Sequence, residues 1–142
     1  MAKTALDAID RKILKYLIKN ARMPFLEIAR ECGISGAAIH QRIRKLDESG
    51  VILGSRLIVD PKMMGFDVCA HISITLKDPQ LLKQTVEELR KIPEIVEAHF
   101  ITGKGNILVK LSCVDNEHLM RTIFDGILRI QGIATTETNI SL

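Results

Sequence analysis

The apolar period of the chain changes near residue 50, and that change limits the fold more than any other feature. Before it, Leu6, Ile9, Ile13, Leu14 and Leu17 recur at intervals of three and four. That spacing lines side chains along one stripe of a helix. After it, Val68, Ala70, Ile72, Ile74 and Leu76 alternate with Cys69, His71, Ser73 and Thr75. Alternation places one set on each face of a strand. A helical front followed by a strand-rich remainder makes an α+β chain with two modules.

The helical front divides at its own punctuation. Asp7 and Asp10 stand as an N-cap and an N3 acid, so a first helix is predicted at about 7–20. Pro24 suits the first turn of a second, about 24–32, with Leu26, Ile28 and Ala29 inward and Gly33 ending it. Ser35 is a good N-cap for a third, about 36–49, which carries Ile39, Ile43 and Leu46 and stops at Gly50.

The remainder begins with "VILGSRLIV", read as a strand, and "DPKMMG", read as a turn or linker. The alternating strand follows, then a helix at about 79–91 with Leu82, Val86 and Leu89. Runs at about 94–102 and 106–114 flank "TGKGN" as a hairpin. A helix at about 116–130 and a last strand, "IATTETNISL", complete βαββαβ. That order is the ferredoxin-like split pattern, with both helices on one face of an antiparallel sheet. The other face is semi-polar, which fits burial against a second copy of the chain.

Charge separates the modules as the period does. Residues 1–50 hold ten Lys/Arg against six Asp/Glu, and residues 51–142 hold ten against eleven. A basic front module points to an anionic partner, with nucleic acid the usual candidate. Aromatics are 4% and Trp is absent, so both cores must be aliphatic. Cys32, Cys69 and Cys113 are odd in number and far apart, which fits free thiols in a reducing cytosol. The N-terminal stretch has no apolar signal-peptide core, and no run is long enough to span a membrane, so a cytoplasmic protein is expected.

Two short helices joined by "CGIS" have the length and turn residue of a helix-turn-helix. On the third helix, Ile43 and Leu46 fall within about 40° of Ile39 at about 100° per residue. Ala37, Gln41, Arg44 and Lys45 point broadly the other way, with His40 on the flank. Small residues first, then an amide and two cations, suit a helix that enters the major groove. Gln can read adenine, and Arg can read guanine or grip phosphate. The expected DNA face is Ser35, Gly36, Ala37, His40, Gln41, Arg44 and Lys45. Arg42 lies nearer the apolar side, where a structural ion pair and a phosphate contact are both open. A solvated face of an ordinary three-helix bundle is the alternative for the whole surface.

The segments "LDAIDRKILKYLIKNAR" (6–22), "LEIARECGIS" (26–35), "RIRKLDESGVI" (42–52), "VDPKMMG" (59–65), "ITGKGNILV" (101–109) and "TTETNISL" (135–142) together resemble the Lrp/AsnC transcription regulators, also called feast/famine regulatory proteins. The resemblance spans nearly the whole chain. It implies a winged-type helix-turn-helix at 1–50, a connecting strand and linker at 51–66, and a ligand-sensing and oligomerising βαββαβ domain at 67–142. It also implies homodimers, often gathered into octamers as tetramers of dimers, that bind and bend double-stranded DNA. The effectors across the family are mostly amino acids.

The hairpin "TGKGN" must be read in that light. A phosphate loop needs a different spacing and a following helix, and here a strand follows. Gly103 and Gly105 are explained as residues of a tight turn that needs positive φ. The resemblance adds that this loop borders the effector pocket, and that members commonly carry Gly-x-x-Asp there. Asn106 stands at the aspartate position. A carboxamide cannot attract an α-ammonium group as a carboxylate does. Glu137, on the last strand, is the substitute carboxylate. The expected pocket is Thr102, Gly103, Lys104, Gly105, Asn106, Thr136, Glu137 and Thr138.

No spacing supports catalysis, and no cofactor is called for. Cys69 and His71 share a face, with His99 expected on a neighbouring strand, but a zinc spacing is not formed. The expected function is regulation of transcription by DNA binding, modulated by a small metabolite. Two alternatives stand beside it. One is an architectural protein that wraps DNA without a ligand. The other is a regulatory subunit whose front module contacts protein.

Overall fold

The structure, a computed structural model, describes residues 5–103 and 105–142. It divides into two compact units, one ending at Leu57 and one beginning at Ile58.

The first unit holds three helices: α1 (Ala8–Lys19), α2 (Phe25–Cys32) and α3 (Gly36–Glu48). The capping box at the head of α1 forms as the sequence predicts. Asp7 accepts the N–H of Asp10 at 2.7 Å, and Asp10 accepts that of Asp7 at 3.2 Å. Gly33 ends α2 in the left-handed region at φ 67°, and its N–H reaches the carbonyls of Ala29 and Arg30. Ser35 caps α3 by accepting the N–H of Ala38 at 3.1 Å. The core is aliphatic: Ile13, Ile28, Ala29, Ile39, Ile43 and Leu46.

One inward residue is corrected. Leu26 is 58% exposed, and Phe25 packs on the core in its place. Leu26 Cδ2 instead lies against the start of α3, 2.8 Å from where a Cβ on Gly36 would stand.

The second unit is the expected βαββαβ. Strands β1 (Val68–Leu76), β2 (Ile95–Phe100), β3 (Ile107–Cys113) and β4 (Ile133–Ile140) form one antiparallel sheet in the order β2-β3-β1-β4. Helices α4 (Leu82–Leu89) and α5 (Asn116–Arg121) supply Leu89 and Leu119 to a core with Ala70, Ile72, Ile74, Ile107, Val109 and Leu111. The open face carries Cys69, His71 and Ser73 on β1, opposite Ser112, Lys110 and Leu108 on β3.

Two elements differ from expectation. Residues 51–59 form no strand, and Leu53, Leu57 and Ile58 are exposed. A strand exists only through a hydrogen-bonded neighbour, and none of the described residues supplies one. The predicted helix 116–130 keeps its α-form only to Arg121. It continues as a π-turn over Thr122–Gly126 and a 3₁₀ turn over Ile127–Arg129. The Thr122 hydroxyl donates to the His118 carbonyl at 2.9 Å, and Gly126 resists helix propagation.

Candidate nucleic-acid interface and effector site

The exposed side of α3 follows directly from its buried stripe. With Ile39, Ile43 and Leu46 inside, Ala37, His40, Gln41, Arg44 and Lys45 are exposed. Among the described residues, neither Arg44 nor Lys45 has an ion-pair partner, so both cations remain available to an anion. Ser35 is committed as the cap, and its hydroxyl still marks the N-terminal end of the face. His40 lays its ring edge against Phe25, with centroids 5.4 Å apart and planes at 73°. That contact holds the imidazole at the flank. Lys15 and Lys19 are exposed, whereas Lys12 donates to the carbonyl of Glu31.

Arg42 is resolved as an ion pair. Its Nη1 lies 2.6 Å from Asp7 Oδ2 and 2.7 Å from Asp10 Oδ1. The backbone bond from Asp10, then the Arg42 guanidinium, hold the Asp7 carboxyl below its ordinary range.

At the β2–β3 hairpin the backbone sets the geometry. Gly103 and Gly105 both take positive φ, at 109° and 95°. Gly105 is also required by close approach. A Cβ there would stand 2.4 Å from Ser73 Oγ and 3.2 Å from the Ile74 carbonyl oxygen. Asn106 then ties the loop to β1. Its N–H donates to the Ile74 carbonyl at 2.7 Å, and its Oδ1 accepts the N–H of Leu76 at 2.8 Å. The β1–β4 register shifts between Thr75 and Leu76. Asn106 thus extends the β1 hydrogen-bond ladder by one rung beyond the first residue of β3. An acceptor oxygen is what that rung needs, and Asn and Asp both supply one.

Beside this rung lies a shallow depression of about 390 Å³, lined by Ser73, Thr75, Gly105, Thr135, Thr136 and Glu137. It gathers Gly105, Thr136 and Glu137 from the expected pocket. Thr102, Gly103, Asn106 and Thr138 are not in its lining, and Lys104 lies outside the described residues. On β4, Glu137 sits opposite Ser73 on the open face, while Thr136 sits opposite Ile74 and Thr138 opposite Ile72, one pair further from the hairpin. Ser73, Thr75 and Thr135 were missed. The polar alternation of β1 flagged the first two, but only the pairing of β1 with β4 brings them to this place.

The open face does not assemble a metal site among the described residues. Strand β2 pairs with β3 and not with β1, so His99 lies two strands from His71. His71 faces Lys110 and Asn139, and His99 approaches Glu97 at 3.6 Å. All three cysteines are free thiols. No described helix is long and apolar enough to cross a membrane.

Comparison with known proteins agrees with both halves. Residues 6–52 match a family model described as winged helix-turn-helix DNA-binding, and residues 67–142 match one described as Lrp/AsnC ligand binding domain. The chain is 36% identical to the regulatory protein AsnC of Haemophilus influenzae over 137 residues, covering 96% of this chain and 91% of that protein. It is 35% identical to AsnC of Escherichia coli K12 over 142 residues, covering 100% and 93%. The solved structure of E. coli AsnC superposes with a TM-score of 0.89, covering 98% of this chain and 93% of that one. A Neisseria meningitidis regulator solved in complex with L-Met, 22% identical, shares the fold with a TM-score of 0.91, covering 97% of this chain and 90% of that one.

Proposed function

The chain belongs to the Lrp/AsnC family of transcriptional regulators, and from that premise we propose that it binds operator DNA through α3 under the control of an amino acid held near the β2–β3 hairpin. The observation that carries the DNA half is the exposed face of α3. It presents Gln41, Arg44 and Lys45 with no internal partner for either cation among the described residues. Ser35, Gly36, Ala37 and His40 complete that face. Two heads of a dimer would enter successive major grooves about one helical turn apart.

The effector half rests on the depression at Gly105. Glu137 is its carboxylate, placed to receive an α-ammonium group, and the hydroxyls of Thr75 and Thr135 stand beside it. The N. meningitidis complex with L-Met supports an amino acid as the class of ligand. Assembly follows the same reading. The exposed apolar stretch at Leu53, Leu57 and Ile58 and the open sheet face suit a second copy of the chain, and dimers would gather into an octamer. Such a protein works in the cytoplasm, at the chromosome, without a cofactor or catalysis.

Two experiments test the reading. Footprinting should give discrete protected sites, whereas uniform coverage would favour an architectural protein that wraps DNA. Calorimetric titration with the twenty amino acids should find a ligand whose binding falls on Glu137→Ala. No binding by the wild-type protein would remove the effector half.

A further inference from the structure

We propose that Arg42 is a positioning residue of the DNA-binding head: held by the two carboxylates that cap α1, it sets how α3 is rotated about its axis, and so which α3 side chains reach DNA. This rests on the DNA-binding reading above. It adds that a residue in the middle of α3, cationic and outside the core, serves DNA recognition without touching DNA.

The geometry is that of one guanidinium closing two rungs of a capping box. Nη1 of Arg42 lies 2.6 Å from Asp7 and 2.7 Å from Asp10. Each acid is already bound to the other's backbone N–H. The Asp10 side chain is only 8% exposed. A carboxylate so enclosed needs its counter-charge, because an uncompensated buried charge is strongly destabilising. The partners are 35 and 32 residues apart in sequence. The trio therefore links the first turn of α1 to the centre of α3.

The same arrangement argues against a phosphate contact. Two carboxylates and one guanidinium carry a net charge of −1, and a phosphate would have to displace a carboxylate to reach Nη1. What the trio controls is orientation. Arg42 is flanked by Gln41 and stands two positions before Arg44. A side-chain tip lies about 5–6 Å from the helix axis, so a rotation of about 20° moves it by about 2 Å. That is enough to lose a hydrogen bond to a base edge.

For the two acids, charge and orientation predict opposite signs, which makes the test sharp. Neutralising an acid in a DNA-binding head strengthens DNA binding if only charge matters. If Asp10 and Arg42 position α3, neutralising either weakens it. The probe is a duplex that the full-length wild-type protein recovers from a random-sequence pool, with affinity measured over a range of salt. Asp10→Asn and Arg42→Met should each weaken binding about tenfold or more, and Arg42→Lys should lose less. The slope of log affinity against log salt should be unchanged in Arg42→Met, because no phosphate contact is removed.

Asp7→Asn keeps a good N-cap while removing one ion pair, so it tests the link where the other variants unfold. It should weaken binding several-fold with its helical circular dichroism intact. Equal or tighter binding by folded Asp7→Asn or Asp10→Asn would overturn the proposal. So would a salt slope reduced by about one in Arg42→Met, which would make Arg42 a phosphate contact. If the wild-type protein recovers no duplex at all, the DNA-binding reading itself fails, and this inference with it.

Discussion

On α3 the groups proposed to meet DNA are side chains standing on a regular helix, whereas at the β2–β3 hairpin the candidate pocket is shaped by backbone. The helix face tolerates change at any one exposed position, because Ile39, Ile43 and Leu46 hold its neighbours in place. The hairpin does not, because Gly105 and Asn106 are each tied to β1. One surface is therefore open to substitution without loss of shape, and the other is not.

Substitutions can break or sharpen that contrast. The largest effect is expected at Gly105→Val. A β-branched residue at φ 95° that also meets Ser73 and the Ile74 carbonyl should cost about 3 kcal/mol, read as a lower denaturation midpoint. A midpoint close to wild type would show that the hairpin is not backbone-limited. Arg44→Ala should act on binding alone, weakening operator affinity by about 1–3 kcal/mol while leaving the oligomer intact in sedimentation. Unchanged affinity would take Arg44 off the DNA face.

Asn106→Ala strands the Leu76 N–H and should cost about 1–2 kcal/mol, with faster amide exchange confined to the end of β1 and the loop. Asn106→Asp preserves the rung and should leave exchange unchanged. If Asp also raises amino-acid affinity, the carboxamide is what limits the effector here. Ser35→Ala removes only the cap of α3, at about 1 kcal/mol of stability.

The smallest effect is the acid sensitivity of the head. Asp7 has a folded pKa below its ordinary value of 3.8. A lowered carboxylate stabilises the fold fully above that ordinary value, and the contribution fades as pH falls through the lower folded pKa. Thermal unfolding of wild type and Asp7→Asn should therefore converge below pH 3.8 and separate above it. Curves that stay parallel would mean that Asp7 contributes nothing through its charge.

Much of this was written in local chemistry. Asp7 with Asp10, Gly33, Ser35 and the apolar stripes of α1 and α3 located three helices to within a residue or two, because caps and periodicity act within one or two turns. The alternation of β1 named both its faces for the same reason. Leu26 was misread since two faces of a short helix are hard to tell apart by spacing alone. The run at 51–59 has strand composition and no strand, because pairing is not a local property.

The sequence by itself thus determined the three front helices, the four strands of the sheet, the two-module plan and the glycines the hairpin needs. These depend on neighbours within a few residues. Only the tertiary structure decided that Arg42 pairs with Asp7 and Asp10, that Asn106 spends its oxygen on Leu76, and that Glu137 meets Ser73 and Gly105. Each of those joins residues about 30 or more apart in the chain. Their meeting is set by strand order, register and helix packing, and no local pattern encodes those.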